Sequence, residues 1–366
     1  MIERLAIVGA GLIGASIALA TKGRGGGSVV AYDRDERALT IAAERGAIDV
    51  AAGSLEEALA GAELAVAAVP VAELAPTVRA MLEASSDGCT VTDVGSTKAA
   101  VCRAAAPSSR FVGGHPLTGS ETRGPEHASA GLFEGASWLL TPAAETDPAR
   151  YRLVHSFVTQ LGATPVAIDP LAHDRLVALT SHLPHALANV LVNQAASSRI
   201  DGHEPLSLAG GSLRDMTRVA GANPRIWVDI LLENAEPLSE ALAEHRRRIE
   251  QLEHALAAGD AGFLARWIGD AARNRRRMLE QAYPDPGVLQ RIRVHVPDRP
   301  GVLAGITQAL SAERINLEDF ELQHLSPERG GTLTLLVAGE REARRATELL
   351  EAQGYAALVF PVLEDP

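Results

Sequence analysis

Cysteine is nearly absent from this chain: Cys89 and Cys102 are the only two among 366 residues. Two scattered thiols build neither a disulfide framework nor a zinc site, so a reducing cytoplasm is the expected compartment. Aromatic residues are scarce at 4%, although 46% of the chain is apolar. Ala, Leu and Val must therefore fill the cores, which suits helices and parallel strands better than an aromatic-rich sandwich. Positive charge is in deficit. The formal net charge of −12 argues against a general polyanion-binding role such as wrapping DNA. Long hydrophobic runs are missing too: the stretch near Leu12 to Ala20 falls short of the roughly 20 residues of a membrane helix and is broken by glycine. The N-terminus enters a strand directly, so no secretory signal and no membrane association is expected.

The length suggests two or three domains. Leu5-Ala6-Ile7-Val8 is a buried-strand run, followed at once by Gly9-Ala10-Gly11-Leu12-Ile13-Gly14 and then by helical composition from Ala15 to Ala20. In that setting Gly9 permits a tight turn, Gly11 lets the backbone approach a pyrophosphate, and Gly14 lets helix and strand pack closely. The backbone from Gly11 through Leu12 and Ile13 to Gly14 then opens a helix, whose unpaired N–H groups and positive dipole end favour phosphate. A second strand, Ser28 to Tyr32, ends at Asp33, where a carboxylate accepts from adenosine ribose hydroxyls and repels a 2′-phosphate. NAD is the expected cofactor, with Arg34 as the one feature that tempers the exclusion of NADP.

Strands at Leu64 to Val69, Thr90 to Val94, Phe111 to Gly113, Trp138 to Thr141 and Pro165 to Ile168 follow. Helical stretches near Arg37 to Arg45, Leu55 to Ala60, Leu74 to Ala84 and Ala99 to Ala106 separate the earlier ones. This alternation predicts a doubly wound α/β sheet of parallel strands, whose ligands sit beyond the strands' carboxyl ends. Two loops fall there: Asp93-Val94-Gly95-Ser96-Thr97-Lys98 and Gly113-Gly114-His115-Pro116. Ser96 and Lys98 admit an ordinary reading as a helix N-cap and a solvated charge. The functional reading puts the Ser96 hydroxyl beside the reacting centre. An imidazole ordinarily titrates near neutrality, so that of His115 is expected to accept a hydroxyl proton as hydride leaves the same carbon.

Beyond Ile168 long helices take over. One is expected from His173 to Asn193, with His182 and His185 three apart on one face. A His-x-x-His pair could be half a metal site, but nothing suitably spaced completes it, and no metal is expected. Gly210 to Arg218 opens another element in which Arg214 and Arg218 lie four apart, ordinarily a solvated helix face. Further helices are expected from Asn223 to Leu232, Leu238 to Leu256 and Gly262 to Leu279. The last carries Arg273, Arg275, Arg276 and Arg277, read as a solvated or salt-bridged face. Pro284 to Gly287 reads as a linker. After it, strand, helix, two strands, helix and strand over Arg291 to Val362 give the βαββαβ order of a ferredoxin-like plait.

Five strings in this order, GAGLIGAS, DVGSTK, GGHPLTGSE, SHLPH and GGSLRDMTRVA, resemble the prephenate/arogenate dehydrogenase family over roughly residues 1 to 285. That resemblance implies an NAD-dependent oxidative decarboxylation of a cyclohexadiene that becomes aromatic. It makes His115 the hydrogen-bond acceptor or base, with Ser96 positioning the same hydroxyl or the imidazole. Glu121 matches a gating or substrate-side position. His185 contacts the substrate side chain, Ser181 and His182 lie around the pocket, and His173 is a second-tier candidate. Arg218 matches an arginine that grips a substrate carboxylate, a role suited to a guanidinium fork. Arg214 stands where the family often has lysine. Family members dimerise through these helices, so a homodimer is expected. The DRPGVL turn and the Ile315-Asn316-Leu317 step resemble an ACT domain, implying feedback by an aromatic amino acid, tyrosine first. The expected domains are 1–168 dinucleotide-binding, 169–284 helical and 290–366 ACT. The expected reaction is conversion of prephenate to 4-hydroxyphenylpyruvate. Rivals are arogenate as substrate, a β-hydroxyacid dehydrogenase or imine reductase, and a non-enzymatic NAD-responsive amino-acid sensor.

Overall fold

A computed structural model describes residues 2–118, 122–282, 289–326 and 330–362. Glu121 and the Pro284 to Gly287 linker lie outside the described residues. The chain divides into two compact units, Met1–Arg247 and Arg248–Pro366.

The first unit begins β1 (Arg4–Val8), α1 (Leu12–Gly23), β2 (Ser28–Tyr32), α2 (Glu36–Glu44), β3 (Val50–Ala51), α3 (Leu55–Leu59), β4 (Leu64–Ala67) and α4 (Val71–Ala84). It continues β5 (Thr90–Asp93), α5 (Ala99–Ala105), β6 (Phe111–Pro116), β7 (Ser137–Thr141), α6 (Pro148–Gln160) and β8 (Thr164–Ala167). The strands form one sheet in the order β3-β2-β1-β4-β5-β6-β7-β8. Near-continuous apolar strands are buried on both faces, as parallel sheets require. One face packs Ile7, Ile17, Trp138 and Leu140 against α1 and α6, and the other packs Val8, Val91 and Phe111 against Leu74, Val78 and Met81 of α4. Each fully buried large side chain of this kind contributes about 1.5–3 kcal/mol.

One expectation needs correcting. The sheet is parallel from β3 through β6, but β7 runs antiparallel to β6, with His115 opposite Leu139. Between these strands the described residues carry only the 3-10 turn Pro125–His127, so no crossover helix returns the chain for parallel pairing. A second correction follows. His115 does not sit in a loop past the sheet. The antiparallel partner extends β6 to Pro116, so the imidazole projects from a paired strand.

The helical part starts with α7 (Pro170–Val177), capped by Asp169, whose carboxylate accepts from Leu171 N and Ala172 N. A π turn, Ala178–His182, joins it to α8 (Leu183–Ser197). The single helix expected from His173 to Asn193 is thus interrupted. The π turn, which carries Ser181 and His182, is a wider winding often found at functional sites. Next come α9 (Gly211–Thr217), the 3-10 turn Arg218–Gly221, α10 (Pro224–Glu233) and α11 (Ala235–Ala258). The division between units falls inside α11.

The second unit holds the rest of α11, α12 (Ala261–Ala282), β9 (Leu289–Val296), α13 (Val302–Ala312), β10 (Asp319–Ser326), β11 (Gly330–Ala338), α14 (Glu340–Ala352) and β12 (Ala357–Pro361). Its four strands are antiparallel in the order β10-β11-β9-β12, the plait expected from the element order. Alternation in β9 and β11 turns Ile292, Val294, Leu333 and Leu335 onto Ile306 of α13 and Leu350 of α14. Gly301 turns into α13 at φ +89°, a left-handed conformation that glycine adopts without strain. Arg273 pairs with Asp270 along α12, as a salt-bridged face would. Among the described residues no helix is long and apolar enough to cross a membrane.

Candidate active site

The glycine-rich turn after β1 is packed as its residue types require. Gly9 has φ +103°, and a Cβ there would run into the backbone carbonyl of Ala68. A Cβ on Gly14 would run into the carbonyl of Gly9, so helix and strand can approach only because both are glycine. Gly11 instead faces open space and is the N-cap of α1, with no side chain capping the helix. The free N–H groups of Leu12 and Ile13 are thereby left for an anion. Asp33 holds the turn in place: Oδ2 accepts from Ala10 N at 2.6 Å and Oδ1 from Asp35 N at 2.8 Å.

Two clefts meet at Gly11. One, of about 760 Å³, is lined by Gly9, Gly11, Tyr32, Asp33, Arg34 and Glu73. The other, of about 630 Å³, runs past Leu12 and Ile13 to Gly95, Ser96 and Arg225 of α10. An extended dinucleotide fits this pair: the Asp33 carboxylate at one end, a helix N-terminus midway, and Ser96 at the other. Ser96 makes no hydrogen bond of its own among the described residues.

His115 is the end of a polar chain. Its Nδ1 lies 2.9 Å from His173 Nε2, and His173 Nδ1 lies 2.8 Å from Asp174 Oδ1. Burial pushes the Asp174 carboxyl up, but hydrogen bonds from His173, Ala99 N and Lys98 N overcome this and hold it below the usual carboxylate range. An ionised carboxylate only accepts, so His173 carries its proton on Nδ1. The same geometry lets His173 Nε2 accept from Nδ1–H of a neutral His115. The His115 lone pair then lies on Nε2, which no group among the described residues engages. Burial, then the repulsion that an imidazolium there would meet from its coupled neighbours His173, Lys98 and His182, holds His115 well below the ordinary imidazole range. A neutral base with one free nitrogen results.

Lys98 overturns its ordinary reading as a solvated charge, because it is fully buried. Its Nζ pairs with the equally buried Asp93 and donates to the Gly114 carbonyl at 2.7 Å. Ser96 is not the N-cap of α5 either. Lys98 occupies that position, and the capping acceptor comes from afar: Asp174 takes Lys98 N at 2.7 Å and Ala99 N at 2.8 Å. Asn234 closes the network, donating from Nδ2 to the Asp174 carbonyl at 2.8 Å and to His182 Nδ1 at 3.0 Å. Burial drives His182 down to about 4 against the pull of Asp174.

His182 is therefore a buried, neutral anchor. His185 is half-buried, donating Nδ1–H to the Ser181 carbonyl at 2.9 Å and stacking on Trp227 of α10 at 3.6 Å. His182 meets the same indole edge-on at 6.0 Å. Ser181 is half-buried beside them. Arg214 is exposed on α9, while Arg218 starts the following 3-10 turn, also exposed and without a partner among the described residues. Sequence reasoning missed Asp93, Asp174, Trp227 and Asn234. Only Asp174 left a trace, as the carboxylate next to His173.

Comparison with known proteins places these features. The family described as "Prephenate dehydrogenase, nucleotide-binding domain" matches residues 17–167, and "Prephenate dehydrogenase, dimerization domain" matches 169–270. The ACT domain matches residues 290–354. A prephenate dehydrogenase of Bacillus subtilis is 33% identical over 96% of this chain and 97% of its own length. A cyclohexadienyl dehydrogenase of Zymomonas mobilis is 32% identical over 75% of this chain and 95% of its own. Among solved structures, an A. aeolicus prephenate dehydrogenase complexed with hydroxyphenyl propionate and NAD+ superposes with TM-score 0.71 at 28% identity, covering 76% of this chain and 99% of that one. A Synechocystis arogenate dehydrogenase gives 0.69 at 30% identity, with 75% and 99% covered. With matches spanning its nucleotide, helical and ACT segments, the chain belongs to the prephenate dehydrogenase family.

Proposed function

We propose that this chain oxidatively decarboxylates prephenate to 4-hydroxyphenylpyruvate with NAD, in the cytoplasm and in the service of tyrosine synthesis. The observation that carries the reading is the His115–His173–Asp174 chain, which leaves a neutral imidazole nitrogen free beside the strand ends. A dinucleotide held by Gly11, Leu12, Ile13 and Asp33 would supply the acceptor for the hydride of the hydroxyl-bearing ring carbon. His115 Nε2 accepts the proton of that hydroxyl and returns it to the ring oxygen once carbon dioxide has left and the ring is aromatic. Protons thus balance without a metal or a covalent nucleophile. Ser96, at the end of the second cleft, orients the hydroxyl or the imidazole. Arg218 holds a substrate carboxylate, with His185 and Ser181 toward the side chain, His182 behind them, and Arg214 and Glu121 at the margin.

The same reading takes 1–168, 169–284 and 290–366 as domains, and a homodimer through the helical one. Exposed Leu208, Met216 and Leu232 there support it. The ACT plait is read as a tyrosine site, supported by a cleft of about 330 Å³ between the Asp298–Ala304 turn and Leu322 of β10. The deciding experiment measures NADH formation from prephenate and from arogenate, each with NAD and NADP, with and without tyrosine. No turnover of either diene would refute the assignment. Arg218→Ala should weaken substrate capture by about 1.5–3 kcal/mol, since it deletes a charge-assisted contact. That is roughly a 10- to 150-fold rise in KM; an unchanged KM would remove Arg218 from the pocket.

A further inference from the structure

Asp33 accounts for one carboxylate at the adenosine end of the first cleft, but Arg34 follows it directly and would welcome a 2′-phosphate. The structure deals with that guanidinium. Arg34 leaves the end of β2 and pairs with Glu73 in the first turn of α4, at 2.8 Å. In the sheet β2 and β4 flank β1, so the two turns that meet here straddle the glycine-rich turn. Both residues line the same cleft as Gly9, Gly11 and Asp33. Glu73 lies in the first turn of α4, where the helix dipole attracts an acidic side chain.

We propose that Glu73 is a second determinant of cofactor choice, withholding Arg34 from a 2′-phosphate. Asp33 repels that phosphate directly, and Glu73 occupies the guanidinium that lines the same cleft. The proposal rests on the dinucleotide reading of the cleft and adds to it a residue outside the glycine-rich motif. The pair is largely exposed, with side chains 79% and 45% accessible, and exposed pairs are weak. The expected effect is accordingly a shift in preference and not an inversion.

Calorimetric titration of the full chain with 5′-AMP and with adenosine 2′,5′-bisphosphate isolates the phosphate. In Glu73→Gln, affinity for the bisphosphate should rise about 3- to 10-fold while AMP changes less than about twofold, the scale of one surface contact. The gain should shrink with added salt. Adding Arg34→Ala to Glu73→Gln should abolish it. An equal gain in the double variant would mean that charge removal alone suffices, and no selective gain in Glu73→Gln would mean that Asp33 decides unaided. Either result overturns the proposal while leaving the cleft's assignment intact. Failure of the unaltered chain to bind AMP or NADH would instead overturn that assignment.

Discussion

His115→Asn should lower kcat about 10²–10⁴-fold, the usual worth of a positioned acid–base group. Asparagine can keep a hydrogen bond toward His173 but has no basic nitrogen to take a proton. NADH binding should change little, because the dinucleotide turn, Asp33 and the α1 N-terminus are untouched. A variant that kept turnover within threefold would end the assignment. The pH dependence tests the same group independently. Its folded pKa is depressed, so the active, neutral form is lost only as pH falls through that lowered value. The acid limb of kcat/KM should therefore lie well below the 6.5 of a free imidazole, with activity level from there through neutrality. A limb centred at or above 6.5 would contradict the burial that sets the base.

How much of this was legible beforehand depends on range along the chain. The β1–α1–β2 segment was readable because its signals are local: an apolar strand, three glycines with separate tasks, and a carboxylate at the next strand's end. The ferredoxin-like plait was readable for the same reason, from short alternating strands and two helices in order. His115 could be named but not placed, because β7, not the sequence around it, extends β6. The burial of Lys98 was not legible because, besides Asp93 in its own loop, it depends on the Gly114 carbonyl and on Asp174, 76 residues away. The π turn at Ala178–His182 leaves no periodic signature over so short a stretch. Asn234 looked like any helix-end residue, and its contact to His182 spans 52 positions. Local chemistry therefore pointed to the candidate ligand-facing residues, while their supports stayed hidden.

The second large effect concerns stability and belongs to those supports. Lys98→Met should destabilise the fold by about 3–5 kcal/mol, the cost of removing one partner from a buried pair. Both side chains are fully buried, so Asp93 would lose its one countercharge among the described residues in a place shielded from solvent. Its hydrogen bonds from Gly95 N at 2.9 Å and Gly114 N at 3.1 Å would remain but would not neutralise it. Neutralising both partners, Asp93→Asn with Lys98→Met, should recover much of the loss, because no lone charge stays inside. Urea unfolding of the two single variants and the double completes the cycle. If the double were as unstable as the sum of the singles, Lys98 would matter for its packing against Gly113, where the lysine Cδ lies 3.4 Å from the place a Cβ would take. The two explanations differ in one further readout. A charge role predicts that Lys98→Met alone moves the acid limb of activity upward, since Lys98 is one of the charges that depress His115. A packing role leaves that limb where it was.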